Sequence, residues 1–111
     1  MPELRTPDDV RAEITRNLLE GKRGPDANYE AELKAERAEA AYEAALDAAL
    51  LASTGTVDER KAQARLAAQA EQDAAFIARA EHNRVKLKIR QLDNSTVALQ
   101  SVLKSIQAEG A

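Results

Sequence analysis

With 111 residues, a net charge of −3 and no cysteine, the chain has room for one domain with a modest core, and none for a disulfide framework or a thiolate metal site. Alanine makes up about a fifth of it; there is no Trp, one Phe (Phe76) and two Tyr (Tyr29, Tyr42), and no apolar run approaches the roughly 20 residues that a bilayer span needs. This composition, led by Ala with Glu, Lys, Arg, Gln and Leu behind it, predicts an all-α chain whose helices approach closely instead of enclosing a thick core. The opening "MPELRTPDD" lacks an apolar h-region, so no signal peptide is read there and a cytoplasmic location is expected.

The first helix starts at "TPDDV". Thr6 can cap it, Pro7 suits the first helical position, and Asp8 and Asp9 favour the positive end of the helix dipole. Val10, Ile14 and Leu18 recur at i, i+4 and i+8 and make one apolar stripe. "EGKRGPDAN" is expected to stop it near residue 20, with Gly21 as the C-terminal cap and Gly24-Pro25 as a turn. Residues 1–25 therefore read as a short helix and linker, and residues 26–111 as a helical hairpin and oligomerisation domain.

A second helix is expected from Asp26 or Asn28 to about Ala52, with Ala31, Ala35, Ala38, Tyr42, Ala45, Ala49 and Ala52 on one small-residue face. "STGT" (53–56) ends it, and "TVDE" (56–59) opens the next helix as a capping box with Thr56 capping and Glu59 reaching back. So short a loop between long helices predicts an antiparallel hairpin.

From Val57 a spacing of three and four residues runs through Lys61, Ala64, Ala68, Glu71, Ala75, Ala78, His82, Val85, Ile89, Leu92, Thr96, Leu99, Leu103 and Ile106. This is a heptad seam with alanine in its first half and branched aliphatics in its second. Unbroken, it makes a coiled-coil-like helix of about 50 residues, or about 75 Å. Two rival readings stand beside it. "RVKLKIR" alternates with period two, as a half-buried strand does, and "DNST" (93–96) can cap a separate last helix from Val97. Read as half the length of the third helix, the second covers only the alanine half. The aliphatic stripe of Val85, Ile89, Leu92, Leu99, Val102, Leu103 and Ile106 is then expected to be buried between subunits of a homo-oligomer.

Charge is segregated. Residues 26–59 hold nine acids against Lys34 and Arg37, whereas residues 79–90 hold Arg79, Arg84, Lys86, Lys88 and Arg90 against Glu81 alone. Those five cations are the candidate nucleic-acid contacts; without interleaved aromatics, any binding is expected to be backbone-directed, sequence-tolerant and salt-sensitive. A solvated or salt-bridging face is the other reading of the same residues. The lone histidine, His82, lies on the seam with no cysteine partner, and the acids of the second helix lack a Glu-x-x-His pattern, so no metal, no cofactor and no catalytic site is expected.

The layout of "STGTVDERKAQARLAAQAE", then a basic stretch, then "LDNSTVALQSVLKSIQAEG" resembles small helical proteins of tailed phages and, more distantly, the UvsY-type recombination mediators, over about residues 29–108. The resemblance implies an all-helical oligomer that helps a recombinase load onto single-stranded DNA covered by its single-strand-binding protein. A Lys-x-Arg-Leu element contributes to DNA binding in that family. It falls here on "QARL", where Arg65 matches, Gln63 stands in the lysine position, and Lys61 lies half a turn earlier.

Overall fold

The computed structural model describes residues 6–109, so the reading of the extreme N-terminus lies outside the described residues. Four helices account for nearly all of them: α1 (Pro7–Gly21), α2 (Gly24–Ala52), α3 (Val57–Ala67) and α4 (Gln69–Glu109). No strand occurs among the described residues; "RVKLKIR" lies inside α4, because an alternating run with no second strand to pair with leaves its backbone groups better satisfied within a helix.

Contacts divide the chain into two compact units. Unit 1 holds residues 1–27 and 85–111, and unit 2 holds residues 28–84. The division falls within α2 and α4, so each of these helices serves both units.

In unit 1, α1 begins as its sequence predicts. Thr6 Oγ1 accepts from the Asp9 N–H at 3.2 Å, and the Asp9 carboxylate accepts from the Thr6 N–H at 3.3 Å, a complete capping box. α1 ends at Gly21, within one residue of the expected stop, but the expected linker and Gly24-Pro25 turn do not form. Lys22, not Gly21, follows the last helical residue, with φ −64° and ψ −24°; the Lys22 N–H donates to Leu18, that of Arg23 to Glu20, and that of Ala27 to Arg23. Only residues 22–23 separate α1 from α2, which starts at Gly24, with Pro25 in its first turn where a missing N–H costs nothing. Gly24 is buried, and a Cβ there would lie 3.1 Å from Ile89 Cγ1 on α4, tighter than ordinary van der Waals contact, so a residue without a side chain suits this close approach.

That junction changes the accounting for the aliphatic stripe. Asn17 on α1 donates to Ser95 Oγ on α4 at 3.1 Å, and Gly24 sits on Ile89, so α1 and the start of α2 lie along the stripe in the opposite sequence direction. Leu99 is buried, Val85, Ile89, Leu92, Leu103 and Ile106 are half-buried, and Val102 is exposed. The expectation that the stripe has no partner within its own chain came from comparing helix lengths, with the second helix reaching only the alanine half; α1, continued almost directly into α2, supplies contacts that this comparison left out. Val10 is the one large side chain of the described residues that is completely buried.

In unit 2 the alanine seam is the core. Ala35, Ala64, Ala68, Ala75 and Ala78 are buried, and Ala31, Ala38, Tyr42, Ala45 and Ala49 are half-buried on the predicted face of α2, while Ala52, at the end of that face, is exposed. Polar pairs bind α2 to α3 and α4: Gln63 donates to the Thr54 carbonyl, Arg60 to the Leu50 carbonyl, Arg79 to Glu39 and Lys34 to Glu81. Positions fall along α2 as they rise along α3 and α4. Gly55, with φ 107°, makes the turn between α2 and α3, a left-handed conformation that favours glycine. Thr56 accepts from the Glu59 N–H at 3.3 Å, half of the box expected there.

The heptad helix is interrupted, at Ala68 and not at 93–96. Ala68 has φ −98° and ψ 12°, yet its N–H still reaches Ala64 and its carbonyl accepts from Gln72, so the i→i−4 ladder bends without breaking. No local signal marks it, since Ala67 and Ala68 are the best of helix formers.

Candidate nucleic-acid interface

α4 carries all five basic candidates of residues 79–90, but the structure does not treat them alike. Arg79 is committed within unit 2. Its Nε and Nη2 donate to the two carboxylate oxygens of Glu39, each at 2.8 Å, a side-on fork that lets one planar cation satisfy one planar anion. These hydrogen bonds hold the Glu39 carboxyl below its ordinary value near 4.5, and they raise Arg79 further, with the nearby Glu36 and Glu32 adding to the effect. The remaining donor, Nη1, meets His82 Nδ1 at 3.0 Å.

His82 is buried at 4% exposure, and its Nε2 meets Asn28 Oδ1 at 3.0 Å. A guanidinium only donates, so Nδ1 must accept and Nε2 carries the proton that it gives to Asn28. The chain Glu39–Arg79–His82–Asn28 thus satisfies a buried ring between α2 and α4, which is the packed histidine that its seam position predicts. Arg79 leaves the set of candidate nucleic-acid contacts for this reason. A bidentate partner forty residues away in sequence carries no local signal.

Arg84, also in unit 2, is exposed on α4, and Arg65 is exposed on α3. In unit 1, Lys86, Lys88 and Arg90 are exposed and make no ion pair or hydrogen bond among the described residues. Helix periodicity sets Lys86 and Arg90 one turn apart on the same flank of the seam, with Lys88 on the other.

Folding adds a cation that sequence reasoning missed. Arg23, at the α1–α2 junction, lines a cleft of about 430 Å³ together with Lys88. The cleft floor is Gly24, Ala27, Val85, Ile89 and Leu92, and Glu20 is the one acid on its wall. The clue available in the sequence was "KRG" itself, two cations ahead of a glycine; it reads as linker because nothing local says that Gly24 packs on Ile89. The positive surface of unit 1 is therefore Lys86, Lys88 and Arg90 on α4 with Arg23 brought to Lys88.

The four cations of this surface can hold an anion by charge. Among the described residues no cluster of three His, Asp or Glu could hold a metal ion. No helix among them is long and apolar enough to cross a membrane. No protein-family model matches this chain, and neither a curated protein nor a solved structure is significantly similar to it.

Proposed function

We propose that this chain is a non-enzymatic helical accessory protein that binds single-stranded DNA weakly through its basic α4 segment, of the kind that tailed phages use in recombination and replication. In this reading α2 and α3–α4 form an antiparallel helical hairpin, and Lys86, Lys88, Arg90 and Arg23 contact phosphates. A recombinase or a single-strand-binding protein is then its natural protein partner in the host cytoplasm. The supporting observation is the contrast within one helix: Arg79 is neutralised by Glu39, while Lys86, Lys88 and Arg90 are left in solvent in a chain that is acidic overall.

Fluorescence anisotropy of a labelled oligonucleotide at low salt tests this. Binding should weaken with salt at a slope of about 0.7 per phosphate contacted. Lys86→Glu with Arg90→Glu should abolish it, whereas Arg79→Gln should change it little. Undetectable affinity at low salt, or indifference to the double charge reversal, sinks the proposal. A protein-only scaffold is the second reading, favoured by the exposure of Val97 and Val102 at 62% and 43% along the C-terminal half of α4. Mass measurement with Val102→Glu, read beside the oligonucleotide titration, distinguishes it: a scaffold loses its partner in the variant and shows no affinity for the oligonucleotide at low salt.

A further inference from the structure

The core seam of α3 and α4 uses one face of those helices. On the opposite face a second heptad runs through Glu59, Gln63, Leu66, Ala70, Asp73, Ile77, Ala80 and Arg84, at spacings of four and three throughout. Every one of these residues is exposed and all lie in unit 2. Leu66 is 78% exposed, Ile77 56%, and Phe76, on the flank of this stripe, 77%. For a chain with a single Phe and few large apolar side chains, leaving these three in water within about three turns is a notable cost.

The order of residues in the stripe says what covers it. Set two copies antiparallel, and the pattern is its own complement: Glu59 meets Arg84, Gln63 meets Ala80, Leu66 meets Ile77, and Ala70 meets Asp73, each pair occurring twice about a dyad. Opposite charges close both ends, and the two large apolar residues of the stripe face each other inside them. Phe76 falls against the aliphatic stem of Gln69 on the other copy. A parallel arrangement instead stacks Glu59 on Glu59 and Arg84 on Arg84, so charge selects the antiparallel one. Arg84 makes no ion pair among the described residues and is free for the role, and small residues at Ala70 and Ala80 allow close approach.

We infer that the outer face of α3–α4 is a self-recognition surface, on which a second copy of this chain docks antiparallel with Leu66 against Ile77 and Glu59 against Arg84. This interface is separate from the aliphatic stripe of unit 1 and takes Arg84 out of the candidate nucleic-acid contacts, leaving Lys86, Lys88, Arg90 and Arg23 untouched, so it stands or falls independently of that function. Asp73 is its weak point. The two copies bring both Asp73 carboxylates close to the dyad, where they repel.

The test uses the full chain, which has no cysteine to confuse it. Sedimentation across a micromolar-to-millimolar series should show a monomer–dimer equilibrium. Leu66→Glu with Ile77→Glu should weaken dimerisation by at least about thirtyfold with helicity by circular dichroism unchanged, because a charge left in a desolvated contact is heavily penalised. Asp73→Asn should tighten it. Register is read by crosslinking: L66C/I77C should oxidise to a covalent dimer, whereas L66C alone should not. Within one chain these positions lie about 16 Å apart on the helix, beyond disulfide reach. A monomer throughout the series, or crosslinking of L66C alone as fast as the double variant, overturns the proposal, and the crosslinking arm decides it even if the glutamate variant loses helicity.

Discussion

Units 1 and 2 are built on one heptad seam and filled in opposite ways. In unit 2 the seam is alanine, so α2 approaches α3 and α4 closely, and polar bridges such as Glu39–Arg79–His82–Asn28 supply what small side chains cannot. In unit 1 the seam is Val, Ile and Leu, and buried Val10 and Leu99 take the place of the bridges, with Asn17–Ser95 the one side-chain hydrogen bond described between α1 and α4. Charge follows the same division. Unit 2 has eleven acids and seven bases, and unit 1 has eight acids and nine bases. A close alanine seam tolerates no added volume, whereas an aliphatic seam tolerates no lost volume.

That contrast breaks in two directions. Ala64→Leu in unit 2 should be the most damaging change, costing about 3 kcal/mol in urea unfolding, since a close-packed alanine seam has no room for added methyl and methylene groups. Val10→Ala in unit 1 should cost about 2 kcal/mol, from lost burial and the cavity it leaves. Hydrogen exchange should place each loss in its own unit first; equal loosening of both units by either variant would refute the division of labour. Glu71 sharpens the picture from the other side, because it sits on the alanine seam with Oε2 buried and unpartnered. Glu71→Ala should stabilise the chain by about 1 kcal/mol by removing an unsatisfied group, and a destabilisation would reveal a partner for that oxygen.

The smallest effect is the pH dependence of the Glu39–Arg79 fork. Because Arg79 holds the folded Glu39 carboxyl below its value near 4.5, the contribution is fully present above 4.5 and is lost as pH falls through the lower folded value. Glu39→Gln should therefore flatten the acid limb of a stability–pH profile and leave the slope above pH 5 unchanged. The fork is partly exposed, so its effect should shrink with added salt.

Much of this fold is legible in the sequence by spacing alone. From Ala64 to Ile106, each predicted seam position is buried or half-buried, including His82 and Thr96, which no hydrophobicity scale would select, whereas Val57 and Lys61 at the start of the predicted seam are exposed. The α1 cap and the α2 small-residue face were equally readable, because caps and periodicity are set by neighbours within four residues. Three features were not. "GKRGPDAN" looks like a tether because Gly and Pro are breakers by propensity, and only Ile89 explains why a glycine is wanted there. Ala68 interrupts the helix without any local cue. Arg79 reads as a free cation until Glu39 is brought to it.

The set of candidate nucleic-acid contacts divides along the same line. Lys86, Lys88 and Arg90 are candidates by charge and helical phase, which are properties of one segment. Arg23 joins them, and Arg79 leaves, through contacts between segments.

Helical class, the seam and its change from alanine to aliphatic side chains were determined by the sequence itself, since propensity and periodicity act over a turn or two of chain. Only the tertiary structure decided what faces the seam: that α1 and α2 follow with a two-residue bend, that α1 lies on the aliphatic stripe, and which arginine is neutralised. The reason is physical. Those outcomes depend on close approach and on ion pairing between segments tens of residues apart, and short-range rules of helix formation are the same whichever partner is chosen.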